Sequence, residues 1–184
     1  MDKQVSFEDE PLMLVDMDGM EVGNLSKDAC HKDKGILHRA FSIFILDAKG
    51  NVLIQQRSQQ KKLWPLYWSN SCCSHPRLGE KIEDAANRRL EQELGIKAKL
   101  TKHYEFEYQE DYEDIGAEHE LCTVFTGITD DEITVNSNEI VDWRWMPPKE
   151  LTEKLSTEHH QFTPWLRLEW DHLTRHFSSA LLAG

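Results

Sequence analysis

Apolar residues along this chain come in short bursts with two different periods. The run "PLMLVD" predicts a short strand ended by the turn "MDG". "RAFSIFILD" and "VLIQQRS" predict two more strands, and "AKGN" between them is a hairpin signal. The period then changes. "KIEDAANRRLEQELG" predicts a helix that stops at Gly95, after which "LCTVFTGI" and "VDWRWM" return to strand character. Near the C-terminal end Thr163 is placed to cap a helix, with Pro164 at its first position. Leu166, Trp170, Leu173 and Phe177 follow at helical spacing as its buried stripe. Trp165 lies about a quarter turn or more off that stripe, at 100° per residue. The alternation predicts a mixed sheet with interleaved helices, α+β or α/β in class.

A length of 184 residues suits one domain, expected to span 1–184. With 39% apolar and 29% charged residues, and no apolar run near the roughly 20 residues of a membrane span, the composition is that of a soluble protein. The opening "MDKQVSFEDEPL" lacks the apolar core of a signal peptide, so a cytoplasmic protein with reduced thiols is expected. The net charge of -12 argues against nucleic acid or a membrane surface as partner. An anionic ligand would need a local group of cations or a metal.

Candidate chemistry concentrates in "SNSCCSHPRLGE". A reducing compartment disfavours a disulfide. In an extended segment Cys73 and His75 share a face and Cys72 takes the other, so only one cysteine can serve any one site. Of the nine histidines, His103, His159, His160, His172 and His176 read as structural or solvated. His31, His38 and His75 differ in the residues that accompany them. In "GAEHELCTVF", Glu118 and Glu120 share one strand face while His119 takes the other. Two neighbouring carboxylates repel unless a cation lies between them, and a solvated edge of the acidic stretch Glu105 to Glu120 explains the same residues. The segment Gln109 to Ile115 fits either an ordered lid or a mobile loop.

The helix carries a spaced motif. Ser74, Glu80, Arg88, Arg89, Leu90, Gln92, Glu93, Gly95 and Ile96 follow the spacing of the Nudix box. Ser74 stands for its first glycine, Arg89 for the acid of Arg-Glu, and Gln92 for the first acid of Glu-Glu. Losing two helix acids weakens a site that gathers divalent cations for diphosphate hydrolysis. Arg89 and Glu93 are four apart, on a helix face with Ile82 and Ala86, so they point toward the sheet. A simple ion pair and a phosphate or metal binder both fit them.

Taken with "HRAFSIFILDAKGNVLIQQRS", "KKLWPLYWSNSCCSHPRLGE", "RRLEQELG", "EHE" and "FTPW", the chain resembles the type 1 isopentenyl diphosphate isomerases from about Leu12 to the last helix. The resemblance implies a Nudix-type α/β/α sandwich, a mixed sheet flanked by helices. It implies interconversion of isopentenyl and dimethylallyl diphosphate, for isoprenoid biosynthesis, by proton addition and removal through a carbocation-like state. Cys73, Glu120 and Tyr108 are then the proton-transfer groups and Trp165 the π face beside the cation. His31, His38, His75, Glu118 and Glu120 are implied to hold one divalent metal, zinc, manganese or magnesium. Glu93 and Cys73 are implied to lie at a second magnesium, bound with the diphosphate. Lys27, Arg57, Lys61 and Arg89 match the diphosphate-binding positions. The partner expected is the small isoprenoid diphosphate, with the chain a monomer or weak homodimer.

Two rivals account for part of this pattern. A Nudix hydrolase would have no need of Cys73 and would miss the acids replaced at Arg89 and Gln92. A non-catalytic metal-binding protein explains the ligands but gives no reason for Cys73, Tyr108 and the basic group.

Overall fold

The chain begins with an antiparallel pair, β1 (Pro11–Val15) and β2 (Glu21–Ser26), whose connection turns at Gly19, as "MDG" predicts. This is a computed structural model describing residues 3–181; 1–2 and 182–184, the ends of the expected domain, lie outside the described residues. A one-turn helix, α1 (Lys27–Cys30), leads into β3 (His38–Leu46), and β4 (Val52–Arg57) follows across the predicted hairpin. Short strands β5 (Trp68–Ser69) and β6 (Cys72–Ser74) come next, then α2 (Ile82–Leu94). Strands β7 (Thr101–Tyr112), β8 (Gly116–Ile128) and β9 (Ile140–Met146) complete the sheet, and helices α3 (Pro148–Thr157), α4 (Pro164–His176) and α5 (Ser178–Leu181) close the chain.

Strand β3 divides the core. Phe41, Ile43 and Ile45 pack on one side against Ala85, Ala86, Leu90 and Leu94 of α2. Phe44 and Leu46 pack on the other against Leu166, Trp170 and Leu173 of α4. A strand covered on both faces must be apolar on both, which is why its sequence reads as a continuous apolar run. This is the sandwich the resemblance implies. Helix α2 ends as predicted, with Gly95 left-handed at φ 69° and its N–H bonded to the Glu91 carbonyl.

Register places the polar residues. β8 runs parallel to β3 with Glu120 opposite His38, and β7 runs antiparallel to β8 with Tyr108 opposite Glu120. β6 joins the other edge of β3 with Cys73 opposite Ser42. His38, Glu120 and Tyr108 therefore form one row across three strands.

The acidic segment is ordered and not a loose loop. It forms a β-hairpin, β7 running to Tyr112 and turning through Glu113 at φ 51°. Acidic residues weigh against a strand on propensity, but pairing along β8 overrides it, and Glu105, Glu107 and Asp111 occupy the open face of an outer strand. Thr163 does precede α4, yet its side chain makes no capping bond; its hydroxyl lies 3.1 Å from Ser69 Oγ instead.

Candidate active site

Three imidazoles meet beside β3. His31 follows α1, His38 opens β3 and His75 follows β6, with ring centroids 4.9 to 5.7 Å apart. His31, His38, His75 and Glu118 each offer a ligand atom within 4.8 Å of the others. Glu120, also expected as a ligand, borders the group, with Oε1 3.0 Å from His75 Nε2 and 3.7 Å from His38 Nε2. His119 lies on the opposite strand face, bonded to Glu107, as alternation requires.

The donor set fits a divalent cation. His38 Nδ1 lies 2.7 Å from the Ile36 carbonyl and donates its N–H there, which turns Nε2 toward the cluster. His75 Nε2 lies 3.2 Å away. His31 Nε2 and Glu118 Oε2 are buried without a hydrogen-bond partner although 3.0 Å apart. Burial pushes His75 down to about 4, which keeps it neutral, as a ligand must be. Burial alone would raise Glu120, but hydrogen bonds from His38 and His75 outweigh it and hold the carboxyl well below its usual range. Glu118 is likewise lowered, His31 overcoming burial.

Gly116 holds this cluster together at close quarters. A Cβ there would collide with the His31 carbonyl, which accepts the Ala117 N–H at 3.0 Å. The start of β8 thus presses directly on a predicted ligand.

A cavity of about 200 Å³ opens beside the cluster, its lining including Cys73, Tyr108, Trp165, His75, Glu118 and Glu120. Its size suits a small molecule. Tyr108 donates to Glu120 Oε2 at 2.6 Å. Burial pushes the Cys73 thiol up to about 12, against the opposing pull of Arg57. Cys72 faces the α2 core, as the alternation predicts. Trp165 is 2% exposed and packs edge-on to Trp64 and beside Tyr108, in an aromatic wall that also includes Leu63.

Lys27, Arg57, Lys61 and Arg89 line the same cavity. They are not free cations. Lys61 pairs with Glu139, Arg89 with Glu93 at 2.6 Å and Glu139 at 3.4 Å, and Lys27 with Glu8 at 3.5 Å. Arg57 donates to the carbonyls of Trp64 and Leu63 and lies over the Trp165 ring. Burial lowers Lys27, with Lys61 adding to the effect. Glu93 is buried behind Arg89 and is not among the cavity-lining residues. Glu80 forms a two-pronged pair with Arg88 at 2.7 Å. Glu139, the acid that joins Lys61 to Arg89, gave no sequence signal, because it comes from the loop before β9 and matches no spaced motif.

The geometry agrees with comparisons to known proteins. Residues 36–166 match the NUDIX domain family. The chain is 45% identical over 171 residues to isopentenyl-diphosphate Delta-isomerase 1 of Photorhabdus laumondii, covering 91% of this chain and 97% of that protein. It is 42% identical over 157 residues to isopentenyl-diphosphate Delta-isomerase of Nocardia farcinica, covering 85% and 90%. Among solved structures, the MutT protein of Methanosarcina mazei superposes with a TM-score of 0.61 at 16% identity, over 76% of this chain and 94% of that one, a likeness of fold. A Nudix domain in which histidines and a cysteine flank the cavity, with relatives this similar over nearly their full length, leaves one assignment: the chain belongs to the isopentenyl-diphosphate Delta-isomerase family.

Proposed function

We propose that this cavity interconverts isopentenyl and dimethylallyl diphosphate, with Cys73 on one side of the substrate and Glu120 with Tyr108 on the other. The observation that carries the reading is the convergence of a buried thiol, a hydrogen-bonded tyrosine–carboxylate pair and an indole on one cavity that four basic side chains also line. The reaction adds a proton to the terminal alkene carbon and removes one from the carbon beside the diphosphate-bearing methylene. Cys73 and the Glu120–Tyr108 pair exchange the roles of acid and base with the direction of reaction. Between the two transfers the substrate carries a tertiary cation. The Trp165 ring supplies electron density to it without a nucleophilic atom that would trap it. Trp64, Leu63 and Tyr108 exclude water, which would otherwise capture the cation as an alcohol.

Lys27, Lys61 and Arg89 bind the diphosphate, exchanging part of their pairing with Glu8 and Glu139 for phosphate oxygens. His31, His38, His75, Glu118 and Glu120 hold a divalent metal, which when bound supplies the positive charge that positions Glu120 and tunes its proton affinity. Glu93 and Cys73 would hold a magnesium arriving with the substrate, once Arg89 turns from Glu93 to the phosphate oxygens. The described residues act as one domain, on a small-molecule diphosphate.

Proton NMR of the protein with isopentenyl diphosphate and magnesium in deuterated water tests the reading. Deuterium-labelled dimethylallyl diphosphate without phosphate release is the expected result. Phosphate release without allylic product would replace it with a hydrolase.

A further inference from the structure

Behind the cavity wall lies a buried polar hub that the reaction just described does not use. Ser69, Asn70 and Thr163 are all 0% exposed, and none of them lines the cavity. They come from β5, from the turn after it, and from the residue before α4, and they meet at Ser69 Oγ. Four polar atoms surround that oxygen: Asn70 Oδ1 at 2.9 Å, Trp165 Nε1 and Thr163 Oγ1 at 3.1 Å, and Cys73 Sγ at 4.0 Å.

The direction of these bonds follows from Asn70. Its amide nitrogen donates to the carbonyls of Ile43 at 3.2 Å and Cys72 at 3.0 Å, which uses both amide hydrogens and leaves Oδ1 an acceptor only. Ser69 must therefore give its single hydroxyl proton to Asn70. Toward its other neighbours Ser69 is then an acceptor. Trp165 Nε1, which can only donate, lies between Ser69 Oγ and Asn70 Oδ1 at 3.1 and 3.2 Å. The remaining lone pair faces the Thr163 hydroxyl and the Cys73 thiol.

We propose that Ser69, oriented by Asn70, is a positioning residue for the isomerisation: one oxygen fixes both the edge of the Trp165 indole and the side chain of Cys73. The inference rests on the isomerase reading above. With its N–H turned into the hub, Trp165 offers the cavity its ring and not a hydrogen-bond donor, and the thiol is held at a set distance from that ring. Proton transfer to an alkene needs such placement, since a displacement of about 1 Å in a reacting group costs on the order of 100-fold in rate. Ser69, Asn70 and Thr163 are shielded from solvent in the folded chain.

Substitution of Ser69 tests this in the full chain loaded with metal. Ser69→Ala is expected to lower kcat by about 10- to 100-fold with KM within about twofold. Ser69→Thr, which keeps the hydroxyl, should restore most of kcat. The Trp165 indole N–H resonance, assigned by its loss in Trp165→Phe, should move in Ser69→Ala and return toward the wild-type position in Ser69→Thr. Wild-type kcat in Ser69→Ala, or a loss that follows the melting temperature and is not repaired by Ser69→Thr, would overturn the proposal. If wild-type protein fails to isomerise, the isomerase reading itself is at fault, while an unmoved indole resonance in Ser69→Ala counts against the positioning role alone.

Discussion

Tyr108 stands directly opposite Glu120 in the β7–β8 ladder and donates its hydroxyl to Oε2 at 2.6 Å, while the other carboxylate oxygen faces His75 at 3.0 Å. One carboxylate is thus shared between an aromatic hydroxyl on the cavity side and the imidazole cluster behind it. Tyr108→Phe removes the first partner and leaves the second. The variant should retain its metal and its KM within a few-fold while kcat falls about 100- to 10,000-fold, as for loss of a proton-transfer partner. Steady-state kinetics together with metal analysis checks it; unchanged kcat would exclude Tyr108 from the chemistry.

The two adjacent cysteines should separate cleanly. Cys73 lines the cavity, whereas Cys72 packs with Ile43, Ala86 and Leu90 in the α2 core. Cys73→Ala should abolish turnover without loss of fold or metal. Cys72→Ala should keep near wild-type turnover and lower stability by about 1 kcal/mol, the price of a small cavity. Isomer ratios by NMR and thermal melts distinguish the two outcomes.

Metal affinity should depend on a glycine that carries no ligand. Gly116→Ala drives a methyl group into the His31 carbonyl and must displace His31 or the start of β8. At about 100-fold excess over its dissociation constant, a bound divalent ion stabilises a fold by about 2.7 kcal/mol. Addition of manganese or zinc should therefore raise the melting temperature of wild-type protein. Gly116→Ala and Glu118→Gln should both show a much smaller rise. An undiminished rise in Glu118→Gln would remove it from the ligand set.

Glu169, on α4 one turn beyond Trp165, is 0% exposed with Oε2 unpartnered, and burial raises its carboxyl to about 8 from an ordinary 4.5. A carboxyl raised on folding holds its proton more tightly in the native state than in the unfolded chain, so stability falls as pH rises from about 4.5 to about 8. Glu169→Gln removes the dependence. The variant should match wild type near pH 4 and exceed it at pH 9 by on the order of 5 kcal/mol, at about 1.4 kcal/mol per tenfold change in the ionisation constant. Denaturant melts across that range provide the measurement, and parallel curves would show that Glu169 is not held neutral.

The apolar strands, α2 with its glycine stop and the stripe on α4 were legible because each is written in local periodicity. β7 was not, because its acids argue against a strand until β8 is there to pair with it. The same divide runs through the site. Alternation alone separates Cys73 from Cys72 and Glu118 and Glu120 from His119, and the spacing of α2 turns Arg89 and Glu93 inward. Local spacing says nothing about partners far away in the chain. Glu139 beneath Lys61 and Arg89, Gly116 against His31, and Ser69 against Trp165 join segments 50 to 96 residues apart only through sheet register and helix packing. Period and residue type fix which way a side chain points, because the backbone repeats are local; what it meets there depends on which strand lies alongside, and that is a property of the whole packed chain.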